Sequence, residues 1–282
     1  MKNKNLDGLK LSLKLKEKYL KIIKDLPSKP KLVVIQIGND QASNIYINNK
    51  KRICEDLKLG FEHLRYSSSV KEEEIEKKIK ALNNDDKVDG IMIQLPLPSK
   101  FNSSFLINLI NPLKDVDGLT STNMGNLVNN IPFNVSCTAL GIMEILKEYN
   151  VSLFGKEVVI VGRSILIGKP LIHLLLNEDA TITVCHSKTK DLIKHTKKAD
   201  ILIVAVGKPK FIKKEMIKKE AILIDVGINR SKGKIVGDID YLDVFKKCSF
   251  ITPVPKGVGP MTIMMLINNL LNSYSKIKKD SD

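Results

Sequence analysis

The chain has 282 residues, room for one large or two modest domains, and its 43% apolar and 27% charged residues are the balance of a soluble globular protein. The net charge of +15 admits anionic ligands, but the lysines are scattered among asparagines and isoleucines, no basic block is interleaved with aromatics and Trp is absent, which sets nucleic acid aside as a partner. Cys54, Cys137, Cys185 and Cys248 make no C-x-x-C pair, no apolar run reaches membrane-spanning length and residues 1–7 are polar, so neither a zinc nor a redox motif is indicated, no membrane span or signal peptide is expected, and a cytoplasmic location is expected.

Residues 10–25 alternate leucine and lysine at helical spacing and read as an amphipathic surface helix. Residues 32–37 form an apolar run ending at Gly38, a buried strand, and 42–57 follow as a helix that stops at Gly60. A short strand over 61–66, a charged helix over 70–82 and a strand over 88–95 that closes on Pro96 and Pro98 complete a first βαβ rhythm, which implies a mainly parallel sheet. Residues 129–136, with Pro132 and no periodicity, mark a break. After a helix over 138–149, apolar β-branched strands at 158–161, 181–185, 201–206 and 221–226 predict a doubly wound nucleotide-binding sheet with a short last connection. The helix after Met261 is expected to pack back on the first domain, and 276–282 to fray. The fold class is therefore α/β with two domains, 1–136 (plus the helix 261–282) and 137–260.

Gly162-Arg163-Ser164, then Gly168-Lys169-Pro170, follow a strand and open a helix, where a doubly wound sheet binds phosphates on free N–H groups. The spacing differs from G-x-G-x-x-G, and a plain strand-to-helix turn is the alternative. The next strand ends Cys185-His186-Ser187-Lys188. An acid usually sits there to bind the ribose 2′-hydroxyl of NAD; here Arg163, Ser187 and Lys188 are suited to a 2′-phosphate, which favours NADP. Gly207 and Gly227 fall at strand ends where a cofactor lies, or are simple turn glycines.

Tyr46 and Lys50 are four apart on one helix and share a face, which suits stacking beside a proton-transferring amine or is ordinary surface decoration. Gln94 closes a strand just before Pro96 and Pro98, and so sits at the carboxyl end of a parallel sheet, where such sheets carry their sites. Asp115 and Asp117 precede a turn at Gly118 and taken singly read as turn acids. Three prolines and two glycines fall between Thr252 and Thr262, a run that holds main chain in a special shape against a ligand.

Together these segments carry the motifs Y-x-x-x-K, D-G-I-x-x-Q-L-P-L-P, K-D-V-D-G, G-R-S-x-x-x-G-x-P and P-V-x-x-G-V-G-P-M-T, in order across residues 46–262. In that order the chain resembles the bifunctional methylenetetrahydrofolate dehydrogenase/cyclohydrolase family. The resemblance implies NADP-dependent oxidation of 5,10-methylenetetrahydrofolate to the methenyl form, hydrolysis of the latter to 10-formyltetrahydrofolate, no metal, and one shared cleft between the domains. It implies Lys50 as the catalytic amine, Gln94 tuning it, Tyr46 stacking on the aminobenzoyl ring and Asp117 holding the pterin. Leu95, Pro255, Val258 and Gly259 would line the folate site. The cofactor would meet Gly162, Arg163, Ser164, Gly168, Ser187, Val206, Gly207, Ile228 and Thr262, the last near both ligands.

A useful lysine base needs a lowered pKa, from burial or from neighbouring cations such as Lys51 and Arg52. Polyglutamylated folates would be drawn to the basic surface, and a homodimer through the nucleotide domain is implied. The chain departs from the family in carrying Lys256 where glycine is common, Ser136-Cys137-Thr138-Ala139 for Pro-Cys-Thr-Pro, Ser121-Thr122 for His-Pro, and Arg52 for lysine. The alternatives are a dehydrogenase without the hydrolytic step and a non-catalytic NADP-binding protein.

Overall fold

The protein is described by a computed structural model covering residues 4–231 and 233–279. It divides into two compact units. One comprises Leu15–Cys137 with Ile263–Asp282, the other Met1–Lys14 with Thr138–Thr262.

In chain order the elements are α1 (Gly8–Lys24), β1 (Lys31–Ile37), α2 (Gln41–Asp56), β2 (Gly60–Tyr66), α3 (Glu72–Asn83), β3 (Gly90–Ile93), α4 (Ser103–Asn108), α5 (Ser121–Val128) and α6 (Cys137–Glu148). They continue with β4 (Glu157–Val161), α7 (Gly168–Leu176), β5 (Thr181–Cys185), α8 (Leu192–Thr196), β6 (Ile201–Val204), β7 (Ile222–Asp225), β8 (Asn229–Ser231), β9 (Lys234–Val236), α9 (Tyr241–Val244), β10 (Phe250–Ile251) and α10 (Val258–Lys279).

The first unit is built on a parallel sheet of order β2-β1-β3. Its central strand is buried from Leu32 to Ile37, because helices cover both faces of a parallel sheet and leave no wet side. The strand order reverses between β1 and β3, and the carboxyl ends on either side of such a reversal are where open α/β sheets place ligands. Lys114–Gly118 runs beside β3: the Ile91 N–H donates to the Lys114 carbonyl at 2.7 Å and Ile91 bridges Asp115 in parallel. That register brings Asp117 level with the carboxyl end of β3. Gly90 allows it, since a Cβ there would fall 2.5 Å from Val116 Cγ1 and 2.7 Å from Leu270 Cδ1.

The second unit carries a five-stranded parallel sheet, β10-β7-β6-β4-β5. Its β4, β6 and β7 are apolar nearly throughout, as strands covered on both faces must be. β8 and β9 form a small antiparallel hairpin.

Several boundaries differ from the sequence reading. The N-terminal residues, expected in the first domain, cluster with the nucleotide-type sheet because they extend its edge: the Leu6 N–H donates to the Ile251 carbonyl and the Ile251 N–H to the Lys4 carbonyl, each at 2.9 Å. An edge strand of two residues leaves main-chain groups that an extended arm can pair. The third strand is Gly90–Ile93 rather than 88–95. α10 begins at Val258, inside the proline-rich motif, because Pro260 in a first helical turn has no N–H partner to lose. The expected fraying at 276–282 does not occur through Lys279, and 280–282 lie outside the described residues. The short elements α4, α5, α8, α9, β10 and the β8–β9 hairpin were not legible as periodic segments.

Candidate active site

Helix α2 starts where Asp40 accepts a hydrogen bond from the Ser43 N–H at 2.7 Å, an ordinary N-cap. Its buried residues are Ser43, Ile47, Lys50 and Cys54, so Lys50 lies on the core-facing stripe and is only 6% exposed. Tyr46, one turn earlier, is half-buried, and burial raises its phenol pKa. The Lys50 ammonium donates to Gln94 Oε1 at 2.7 Å. Gln94 is itself fixed: its N–H donates to the Ile35 carbonyl at 2.9 Å and its Nε2 to the Leu95 carbonyl at 2.8 Å, which turns Oε1 toward the lysine.

Burial lowers the Lys50 pKa, and Asp117, Cys137 and Cys54 oppose that shift. Of the two causes the sequence left open, burial is the one that acts; Lys51 is exposed and pairs with Glu55 at 3.7 Å.

The two aspartates of the K-D-V-D-G segment have different surroundings. Asp115 accepts from the Gly118 N–H at 3.0 Å, the Thr120 N–H at 2.8 Å and Asn123 Nδ2 at 2.9 Å, and is the acid that builds the turn. Gly118 has φ +66°, and a Cβ there would lie 2.5 Å from the Val135 carbonyl carbon. Asp117 faces Lys50 and Cys137 instead. Burial pushes its carboxyl up to about 6, Lys50 pulls the other way, and Asp115 adds to the rise. Cys137 completes the cluster. Its thiol donates to the Val116 carbonyl at 3.3 Å, and burial followed by the Asp117 charge raises it well above the usual thiol range. Asn269 of α10 holds this wall, donating to the carbonyls of Val116 at 2.9 Å and Val135 at 2.8 Å.

In the other unit, β4 ends at Val161, level with Cys185 of β5, and the Gly162 N–H donates to the Cys185 carbonyl at 2.9 Å. Gly162 has φ +137°, and the space a Cβ would need at Gly168 is filled by the Gly162 carbonyl and Arg163 Cα. The chain thus folds tightly back before α7, with Arg163 and Ser164 exposed at the mouth of the turn. This close-packed glycine turn at a helix N-terminus fits a dinucleotide pyrophosphate. At the end of β5, Ser187 and Lys188 are exposed and no acid stands at 186–188. The described residues contain no cluster of three or more His, Cys, Asp or Glu suited to a metal.

A Cβ on Gly259 would lie 3.6 Å from Ile228 Cδ1, so the proline-rich motif meets the loop after β7. Pro255 is exposed, Val258 is buried at 4% and Thr262 donates to Thr138 Oγ1 at 3.3 Å.

Both parts of this chemistry match one family across nearly the whole chain. Residues 6–117 match the catalytic-domain model of tetrahydrofolate dehydrogenase/cyclohydrolase, and 136–278 its NAD(P)-binding-domain model. The chain belongs to the tetrahydrofolate dehydrogenase/cyclohydrolase family. It is 48% identical to the bifunctional protein FolD of Hydrogenobaculum sp. (strain Y04AAS1) over 96% of this chain and 98% of that one. Among solved structures it is similar to the bifunctional FolD dehydrogenase/cyclohydrolase of Campylobacter jejuni, with TM-score 0.93, 42% identity and coverage of 96% and 98%. It is also similar to the Trypanosoma brucei enzyme complexed with NADP cofactor and inhibitor, with TM-score 0.92, 31% identity and coverage of 97% and 98%.

Of the sequence-derived candidates in this family member, the structure gathers Lys50, Gln94, Leu95 and Asp117 around one point, with Tyr46 a turn away on the same helix. Pro255, Val258, Gly259 and Thr262 belong to the unit that holds Gly162, Arg163, Ser164, Gly168, Ser187, Val206, Gly207 and Ile228. The sequence reading missed Cys137 as a member of the lysine cluster. It also missed Asp225 and Asp238, which no spacing rule singles out.

Proposed function

We propose that the chain oxidises 5,10-methylenetetrahydrofolate with NADP and hydrolyses the resulting methenyl compound to 10-formyltetrahydrofolate. The observation that carries this reading is the buried Lys50–Gln94 hydrogen bond beside Asp117, on a family member whose other unit has a dinucleotide turn. NADP, when bound, supplies a hydride acceptor. Gly162 and Gly168 let main chain approach its pyrophosphate, and Arg163 and Ser187 meet the 2′-phosphate.

The hydrolytic step is the addition of water to the methenyl carbon and cleavage of one of its two C–N bonds. Lys50, whose pKa burial has lowered, takes the proton from the attacking water and returns one to the departing ring nitrogen. Gln94 holds Nζ in place through Oε1. Asp117 accepts hydrogen bonds from the pterin amino and ring N–H groups, a charge-assisted contact that fixes the one-carbon bridge against the amine. Tyr46 stacks on the aminobenzoyl ring, and Leu95, Pro255, Val258 and Gly259 serve the folate. Val206, Gly207, Ile228 and Thr262 serve the cofactor.

The units that bear these roles are Leu15–Cys137 with Ile263–Asp282 for folate and Met1–Lys14 with Thr138–Thr262 for NADP. Four free, buried cysteines agree with a reducing compartment, so the protein works in the cytoplasm. No helix among the described residues is long and apolar enough to cross a membrane. It acts as a homodimer on folates that include polyglutamylated forms, and binds no nucleic acid; sedimentation equilibrium tests the dimer.

The deciding experiment follows NADPH formation with methylenetetrahydrofolate and then detects 10-formyl product. Both signals are expected. NADPH without formyl product would favour the monofunctional dehydrogenase, and silence with retained NADP binding the non-catalytic reading.

A further inference from the structure

Asp238 has none of its surface exposed, yet it forms no ion pair within 4 Å among the described residues. Its carboxylate is satisfied by three main-chain N–H groups and one side-chain amide. Oδ2 accepts from the Val206 N–H at 2.7 Å and the Gly207 N–H at 2.9 Å, and Oδ1 accepts from the Lys208 N–H at 2.8 Å and Asn229 Nδ2 at 2.8 Å. Asp225, at the carboxyl end of β7 and 3% exposed, repeats the pattern. Its Oδ1 accepts from the N–H groups of Gly227 at 3.0 Å and Asp238 at 2.8 Å, and its Oδ2 from Ile239 at 2.9 Å. Two glycines make room: a Cβ on Gly227 would fall on Asp238 Oδ1, and one on Gly237 on Asp225 Oδ2.

The two carboxylates therefore join three chain segments, residues 206–208 after β6, 227–229 after β7, and 237–239. The first two hold Val206, Gly207 and Ile228. Three consecutive N–H groups, those of Val206, Gly207 and Lys208, form a nest of the kind that elsewhere binds an external anion. Here the protein fills that nest with its own carboxylate. Those donors are thus spent inward, and the loop has carbonyls and apolar side chains left to offer a cofactor.

We infer that Asp238 is a positioning residue for the cofactor, setting the loops 206–208 and 227–229 at the edge of the sheet against which the uncharged part of NADP lies. The inference rests on the reading that NADP binds at this sheet edge. A negative acceptor is required. In Asp238→Asn one oxygen becomes an NH2 that faces N–H donors, so the loop must move although the side-chain volume is unchanged.

The test measures NADP dissociation constants by equilibrium titration, and cyclohydrolase activity on methenyltetrahydrofolate without NADP, for wild type and Asp238→Asn. The expected result is NADP binding about tenfold or more weaker, with cyclohydrolase turnover within about twofold of wild type. Unchanged NADP affinity overturns the inference. A parallel fall in both readouts overturns it too, because that is the signature of general destabilisation. Should Asp238→Asn not fold, Asn229→Ala decides. It removes only the side-chain donor, and the expected outcome is a few-fold weaker NADP binding with hydrolysis intact; wild-type NADP affinity in that variant refutes the inference. Wild-type protein that binds no NADP at all would instead refute the cofactor reading itself.

Discussion

The two units both bury carboxylates, but they use them in opposite ways. Around Lys50, Asp117 has a lysine and a thiol for neighbours, and burial draws both the carboxyl and the amine toward their neutral forms. Around the nucleotide loops, Asp238 is surrounded by main-chain N–H donors and organises backbone. Burial raises a carboxyl in either unit, to about 6 at Asp117 and about 7 at Asp225, so the partners decide the use: a carboxyl beside an amine and a thiol can exchange a proton with them. One held mainly by main-chain N–H groups is a clamp. Asp115 shows that the two uses can stand two residues apart, since it has the clamp's partners while Asp117 has the site's.

The strongest way to break this contrast is to remove the amine. Lys50→Met should lower cyclohydrolase turnover by about 10³-fold, the range of a lost general acid–base, while retaining a measurable fraction of dehydrogenase activity. Hydrolysis at the wild-type rate in that variant would remove Lys50 from the chemistry.

Next in size is Asp117→Asn, expected to reduce kcat/KM for both folate reactions by roughly 10- to 100-fold through lost charge-assisted pterin contacts. The carboxyl is raised to about 6, so the charged form needed for those contacts accumulates as pH rises through that value. Wild-type kcat/KM should therefore fall on acidification below about pH 6, and the variant should lack that limb. The stability sign is the reverse. A carboxyl raised above its ordinary value binds its proton more tightly when folded, so its contribution to stability declines as pH rises from about 4 to about 6. Thermal melts at pH 7.5 should accordingly show Asp117→Asn no less stable than wild type.

Asp115→Asn sharpens the same comparison. It sets an NH2 against the Gly118 N–H, or against the Thr120 N–H and Asn123 Nδ2, so it should lower stability by about 2 kcal/mol, with folate KM changed less than in Asp117→Asn. Equal effects on KM and melting temperature in both variants would erase the distinction between turn acid and site acid.

The smallest effect concerns Lys256, a non-glycine residue that sits at φ +84°. Lys256→Gly should raise stability by about 0.5 kcal/mol, because a Cβ is strained in that region and glycine is not, less the extra chain entropy glycine brings. Chemical denaturation midpoints measure it, and a lower midpoint would show that the lysine side chain contributes more than its backbone costs.

Much of the fold could be read from periodicity. Strands such as Ile201–Val204 stand out because a parallel strand covered on both faces is apolar and β-branched along its length, and the helices between them carry the 3.6-residue rhythm. The short elements escaped for the same reason: two residues at β10, or four at α9, are too few to show a period. At the site, Lys50 and Gln94 were visible through their places on a helix and at a strand end. Cys137 was not, since nothing local shows that a cysteine 21 residues from Val116 bonds to its carbonyl.

The amino-acid sequence by itself determined the alternation of strands and helices, the glycine turn before α7, and the order of the motifs that mark the family, because these depend on neighbours within a few residues. Only the tertiary structure decided which aspartate of the 115/117 pair builds the turn and which faces Lys50, why the Lys50 pKa falls, and that the N-terminal arm joins the five-stranded sheet. Those outcomes depend on desolvation and on hydrogen-bond partners distant along the chain, 153 residues apart for Asn269 and Val116, and no local pattern encodes them.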